Sequence, residues 1–173
     1  MIWFIIAAIL VVLFGGVALF GAPYVPSRRR YVRRLFHHMK LIDKDFVVDL
    51  GSGDGVVLRE AALFGARAVG YELNPILVVI SRLLAPKTKR VRTVLANAWT
   101  TSFPDNTTVV YVFSVGRDEQ RVVKTVQREV NRLGRPLRLV CLGNPLKSVS
   151  MIDTIDAYHI YRIEPVQHKT VTL

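Results

Sequence analysis

The sequence predicts an α/β fold: a parallel, doubly wound sheet with helices on both faces, preceded by one apolar helix of membrane-spanning length. Three observations predict it. Short apolar runs alternate with helical stretches along most of the chain, the pattern of strands buried on both faces and joined by crossover helices. The first such run, at 46–50, breaks off into the glycine-rich stretch DLGSGDG at 49–55. Ahead of both, residues 2–22 carry no charged side chain. A length of 173 residues allows one domain plus an appendage, and 51% hydrophobic content is ample for a core.

The apolar stretch comes first in the chain. At about 1.5 Å per residue, a helix over 2–22 crosses a hydrocarbon core of about 30 Å. A cleaved signal peptide fits less well, because no basic residue precedes the run and the run exceeds the usual apolar region of about 7 to 15 residues. Residues 1–23 are therefore expected to form a transmembrane helix and residues 24–173 a single domain. Arg28, Arg29, Arg30, Arg33, Arg34 and Lys40 follow immediately, and such a Lys/Arg bias marks the cytoplasmic side. The expected localisation is a single-pass membrane protein with its domain on the cytoplasmic side, or on the equivalent face of an organelle. The same cluster suits anionic headgroups, at about 1 kcal/mol per basic residue near the surface. The lipid bilayer is thus an expected partner, and the formal charge of +11 does not require nucleic acid.

From residue 27 the elements read in order. Val32, Leu35, Phe36 and Met39 recur at helical spacing between arginines, giving an amphipathic helix over 27–40 with Ser27 as its N-cap. A strand follows at 46–50, a helix at 56–64 and a strand at 68–71. Pro75, suited to a first helical turn, opens a helix over 75–84. Strands are expected at 91–95 and 108–113. A long charged helix over 117–133 is ended by Gly134, and a fifth strand occupies 137–142. A sixth is expected at 158–163 and a seventh at 170–173. The single cysteine, Cys141, lies in an apolar run and reads as a buried hydrophobe. His37, His38, His159 and His168 lack zinc spacing, so no metal site is expected.

Glycines at the carboxyl end of the first strand of such a sheet permit a tight turn and the close approach of a ligand, while the next helix presents free N–H groups. Gly51, Gly53 and Gly55 occupy that place. Glu72, at the end of the second strand, is placed to accept hydrogen bonds from ribose hydroxyls. Together they describe a nucleoside-bearing cofactor. The glycines alternate, with none at position 56, so the dinucleotide spacing G-x-G-x-x-G is not met. A phosphate-cradling G-x-x-x-x-G-K-[ST] is also absent.

DLGSGDG followed by GYELN resembles the cofactor loop and acidic second-strand end of class I S-adenosylmethionine-dependent methyltransferases, whose fold is Rossmann-like. The resemblance narrows further. PYVPSRRRYVRRLF, DLGSGDG, GYELNP with SRLLA, ANAW, VYVF and YHIYRI, in that order behind an apolar helix, are similar to the FAM173 family of membrane-associated protein lysine methyltransferases. Known members of that family methylate a lysine of a membrane protein, the adenine nucleotide translocase or the c-subunit of ATP synthase. The resemblance implies S-adenosyl-L-methionine as cofactor and a lysine of a membrane protein as substrate.

It also implies site residues. Asp49, Gly51, Ser52, Gly53, Asp54 and Gly55 would form the cofactor loop, and Glu72 would hold the ribose with Leu73 and Asn74 beside it. Asn97, Ala98 and Trp99 would flank the adenine, with Asn97 where the pattern usually has aspartate. Tyr24, Val25, Pro26 and Ser27 would close over the cofactor from the membrane side. Val56 replaces a polar residue of the pattern. Ser114, Val115, Gly116 and Arg117 stand where a leucine- and proline-bearing stretch is expected, and there is no N-P-P-[FYW] after the fourth strand, which argues against methylation of an exocyclic base nitrogen or of glutamine. No catalytic residue is compelled, because methyl transfer to an amine needs positioning more than a general base. Tyr111, Ser114 and Asn144 are candidates to orient the amine, and Asp54 to act electrostatically. Two alternatives remain at this point: a membrane-tethered methyltransferase of a lipid, quinone or other small molecule, and a non-catalytic membrane scaffold.

Overall fold

The computed structural model describes residues 1, 3–4, 27–85, 89–114 and 116–166. Among the described residues the first long element is α1 (Arg29–His38), followed by β1 (Phe46–Leu50), α2 (Val56–Leu63), β2 (Arg67–Glu72), α3 (Pro75–Leu84) and β3 (Val91–Leu95). Then come β4 (Val109–Ser114), a 3₁₀ turn (Gly116–Asp118), α4 (Glu119–Leu133), β5 (Leu137–Gly143), β6 (Met151–Ile155) and β7 (Tyr158–Ile163). The alternation of apolar runs and helices is realised within a residue or two of expectation, except that the long helix opens with the 3₁₀ turn.

The seven strands form one sheet in the order β3-β2-β1-β4-β5-β7-β6. The first five are parallel. The expectation of a wholly parallel sheet is corrected at its far edge, where β7 runs antiparallel beside β5 and β6 pairs antiparallel outside it. The pairing of β6 with β7 follows from a tight hairpin: Asp156, at the turn, has φ +53, and so short a connection can join only antiparallel strands. The seventh strand is thus Met151–Ile155. Four of its five residues are exposed, so it carries no buried apolar run to betray it. The strand expected at 170–173 and the transmembrane helix expected at 1–23 lie outside the described residues, save 1 and 3–4. Among the described residues no helix is long and apolar enough to cross a membrane.

Strand alternation splits the core in two. Val109 and Tyr111 face a cluster with Val32, Leu35 and Phe36 of α1 and Val57, Leu58 and Ala61 of α2. Val110 and Val112 face the other cluster, with Val122, Val126 and Val130 of α4. Each such side chain contributes roughly 1.5–3 kcal/mol by leaving water, so helices on both faces follow from the strands' two apolar sides. Cys141 is fully buried, as expected. The third helix lies on the α2 face: Ser81 bonds Thr93 (2.6 Å), Thr93 is in register with Gly70, and a Cβ on Gly70 would strike Leu58 of α2.

One cap differs from expectation. Arg28, not Ser27, is the N-cap of α1 and makes no side-chain cap bond. The Ser27 hydroxyl lies instead 3.1 Å from the Tyr111 hydroxyl on β4, which ties the entry of α1 to the centre of the sheet. Asn74 caps α3 by accepting from the Ile76 and Leu77 amides (2.9 and 3.4 Å), ahead of Pro75 in the first turn.

Candidate functional site

Strand β1 lies between β2 and β4, where the strand order reverses, and ligands of open α/β sheets bind in the crevice at the carboxyl ends of the strands there. The predicted loop leaves β1 at this point. Gly51, Gly53 and Gly55 all have φ between +53 and +82, a region costly for residues with a Cβ. The Gly51 and Ser52 amides donate to the Tyr71 carbonyl (2.9 and 3.1 Å), and the Gly55 amide to the Ser52 carbonyl (2.8 Å). The loop is thereby folded over the end of β2.

Glu72, the last residue of β2, is buried and accepts on both oxygens: from the Gly53 amide at Oε2 and from the Asn74 amide at Oε1, each at 2.8 Å. It is no solvated loop acid. A carboxylate has about four lone-pair sites, so it retains acceptor capacity for a ligand. Leu73 beside it is exposed and Asn74 buried. The Ala96 amide donates to the Glu72 carbonyl (3.0 Å), which brings the end of β3 alongside. There Asn97 is exposed and its side chain accepts from the Trp99 amide (3.0 Å), Ala98 is buried, and Trp99 has the Arg121 guanidinium 5.6 Å from its ring centre.

Close packing explains further residues. A Cβ on Gly70 would come within 2.3 Å of Ser52, and one on Gly55 within 2.1 Å of the Ser81 hydroxyl, whereas one on Gly51 would meet nothing within 4 Å. Gly70 and Gly55 are thus demanded by the protein's own packing. Gly51 opens on free space.

The electrostatics of the loop point one way. Burial first, then the negative charges of Glu72 and Asp54, push the Asp49 carboxyl well above its ordinary range. Asp54 is partly offset by Arg59, whose guanidinium bonds its carboxylate (3.0 Å) and its carbonyl. Three carboxyl groups around one open loop suit a ligand bearing positive charge.

Across the crevice, Ser114 ends β4, fully buried, and its hydroxyl has no hydrogen-bond partner among the described residues. Its carbonyl accepts from the Asn144 amide (3.0 Å). Tyr111 is buried, with its phenol raised by burial and then by Tyr158, so it stays a neutral hydroxyl. Ser114 and Asn144 therefore meet at the ends of β4 and β5, whereas Tyr111, level with Asp49 in the middle of β4, faces α1 and meets Ser27 there. Tyr24, Val25 and Pro26 lie outside the described residues. Sequence reasoning missed Tyr158, whose ring centre lies 6.1 Å from that of Tyr111 and which lines a cavity of about 390 Å³ with Ser27, Tyr31 and Asp156. Only the antiparallel insertion of β7 beside β5 puts it there, and no local signal announces that pairing.

Known proteins share this arrangement. An RNA methyltransferase from Salinibacter ruber, solved with S-adenosyl-L-homocysteine, superposes with a TM-score of 0.73 at 24% identity over 84% of this chain and 97% of its own. That likeness is one of fold: a Rossmann-like, class I methyltransferase α/β sheet of seven strands. Among curated proteins, the Xenopus laevis lysine N-methyltransferase named for the c-subunit of ATP synthase is 35% identical over 116 residues, 65% of this chain and 50% of the relative. Its Homo sapiens counterpart is 32% identical over 111 residues, 62% and 47% of the two chains. The chain spans about half the length of these relatives. The family described as Methyltransferase domain matches residues 48–138, from β1 into β5 and so across the glycine loop and Glu72. That is more than half of the sequence, and the chain belongs to this methyltransferase-domain family.

Proposed function

We propose that the protein is an S-adenosylmethionine-dependent methyltransferase acting on a lysine side chain of a membrane protein. The observation that carries the cofactor is the bridge from Glu72 to Gly53, which sets a ribose-type acceptor against an open glycine turn. The residues present fit the group: free space over Gly51, three carboxyls beside a position for positive charge, and an unpartnered Ser114 hydroxyl. The relatives named lysine N-methyltransferases support the lysine substrate, and the resemblance to the FAM173 family accords with them.

In this reading Glu72 holds the ribose hydroxyls, with Leu73 and Asn74 beside it. Asp49 and the 51–55 loop lie along the rest of the nucleoside and amino-acid portions. Asn97, Ala98 and Trp99 flank the adenine, and Tyr24, Val25, Pro26 and Ser27 close the site. S-adenosylmethionine supplies the methyl group, made electrophilic by its sulfonium. The protein's contribution is in-line positioning of the amine, for which the neutral hydroxyls of Tyr111 and Ser114 and the side chain of Asn144 are available. Residues 1–23 as a membrane anchor, with the basic flank on the same side as the domain, would hold the cleft near membrane-protein substrates.

The test is calorimetric titration of S-adenosylmethionine, with NADH as control, into the detergent-solubilised full chain and its Gly53→Arg variant. Mass spectrometry of membrane fractions incubated with protein and cofactor follows. Binding of the first ligand alone, lost in the variant, with new methyl-lysine in a membrane protein, is expected. No binding overturns the cofactor; binding with methylated lipid or quinone instead overturns the substrate. Since a free lysine amine has a pKa of about 10.4 and must be deprotonated to attack, the rate at fixed cofactor is expected to rise from neutral to alkaline pH.

A further inference from the structure

Helix α3 is apolar on two sides. Leu77, Val78 and Ser81 are buried against the sheet. The outer side carries Ile76, Val79, Ile80, Leu83 and Leu84, spaced three and four apart, so they form one stripe. Leu83 is 79% exposed, Val79 54% and Leu84 50%. A stripe of this kind on an outer helix face marks an interaction surface. Leu63, 66% exposed, lies in the same helical layer on α2.

The charge around the stripe identifies its partner. No aspartate or glutamate occurs between Glu72 and Asp105, while Arg82 on α3 and Lys89 and Arg90 between α3 and β3 fall within that interval. Pairing this face with itself across a two-fold axis would bring cations against cations, with no acid of the same segment to offset them. An anionic lipid surface provides both an apolar phase for the stripe and negative charge for its flanks. The neighbouring helix agrees: α1 lies in the layer that covers this side of the sheet, and Arg29 and Arg30 line an open groove of about 590 Å³ on it, beside Arg33 and Arg34, which pair with Glu60 (2.9 Å) and Asp156 (3.4 Å). Acyl-phase contact at α3 and headgroup contact at α1 are thus available to one side of the molecule.

We infer that the outer face of α3 is a membrane-contact element, inserting Val79, Ile80, Leu83 and Leu84 into the headgroup boundary of an anionic bilayer. This contact is separate from any anchoring by the apolar segment at 2–22. It orients the domain with the α1–α2–α3 layer against the membrane, and it does not depend on the methyltransferase reading.

The test uses the full chain with Leu83→Cys and, separately, Val79→Cys, each labelled with an environment-sensitive nitrobenzoxadiazole probe. The native Cys141 is fully buried, and burial pushes its thiol up to about 12, so the introduced cysteine takes the label. Lys124→Cys, exposed on α4 across the sheet, is the control. The proteins are reconstituted into phosphatidylcholine vesicles with and without phosphatidylglycerol, carrying spin-labelled lipid. Expected are a blue shift and lipid quenching at 79 and 83, stronger with phosphatidylglycerol, and neither at 124. Probes at 79 and 83 that remain in water, or that match the control, overturn the inference. Shielding without lipid quenching that grows with the protein-to-lipid ratio would overturn it in favour of a second copy.

Discussion

The Gly53 amide donates to Oε2 of Glu72 at 2.8 Å, across 19 residues of chain. This bond joins the turn after β1 to the end of β2. It makes the glycine loop and the acid a single unit, so a change at Glu72 is felt at the loop. Removing the carboxylate abolishes this bond, the bond to Asn74 and the proposed ribose contact. A hydrogen bond to a charged group is worth about 1.5–3 kcal/mol. Glu72→Ala is therefore expected to weaken S-adenosylmethionine binding by about tenfold to a hundredfold, measured by calorimetric titration.

The loop glycines separate binding from stability. Gly51→Ala meets no neighbour but keeps φ +82, a strain of roughly 1–2 kcal/mol, and its methyl projects into the open space of the crevice. Gly70→Ala would drive a methyl into Ser52 and Leu58, and overpacking of this kind costs roughly 1–3 kcal/mol or more. Urea unfolding and cofactor titration of both variants should show Gly51→Ala folded with binding impaired, and Gly70→Ala impaired first in stability.

Asp49 should be a residue kept at a cost to stability. Its folded pKa is raised by burial and then by Glu72 and Asp54, from the ordinary 3.8. The native state therefore binds a proton that the unfolded chain has released, and stability falls as pH rises from 3.8 through the folded value. Asp49→Asn is expected to raise the urea midpoint of the ligand-free protein at neutral pH, to flatten its decline with pH, and to weaken cofactor binding.

Asp45 shows the opposite sign at the other end of the sheet. Burial pulls its carboxyl upward but is outweighed by bonds from the Ile42 amide (3.0 Å), the Thr108 hydroxyl (2.7 Å) and Arg138 (2.6 Å), so its pKa is lowered. Its stabilisation is present above 3.8 and is lost as pH falls through the folded value. Asp45→Ala should cost about 2 kcal/mol at neutral pH and progressively less toward strong acid, as read from urea midpoints across that range.

The five parallel strands, their intervening helices and the cofactor loop were legible in the residues alone, because each is announced locally. Buried strands are unbroken apolar runs, helices carry 3.6-residue periodicity, and Gly51, Gly53, Gly55 and Glu72 stand at fixed distances along one βαβ unit. Ser27 was legible as a polar residue before a helix, but only the fold turned its hydroxyl toward Tyr111 instead of the helix N-terminus. Long-range packing set the rest: β7 enters antiparallel beside β5, Tyr158 meets Tyr111, and an exposed strand at Met151–Ile155 closes the edge. It also left the apolar α3 with one face on the sheet and the other outside. One cause is common to all four. Periodicity reports how a residue relates to its neighbours in sequence, whereas strand pairing and the covering of a helix face depend on residues far along the chain, whose placement no local pattern records.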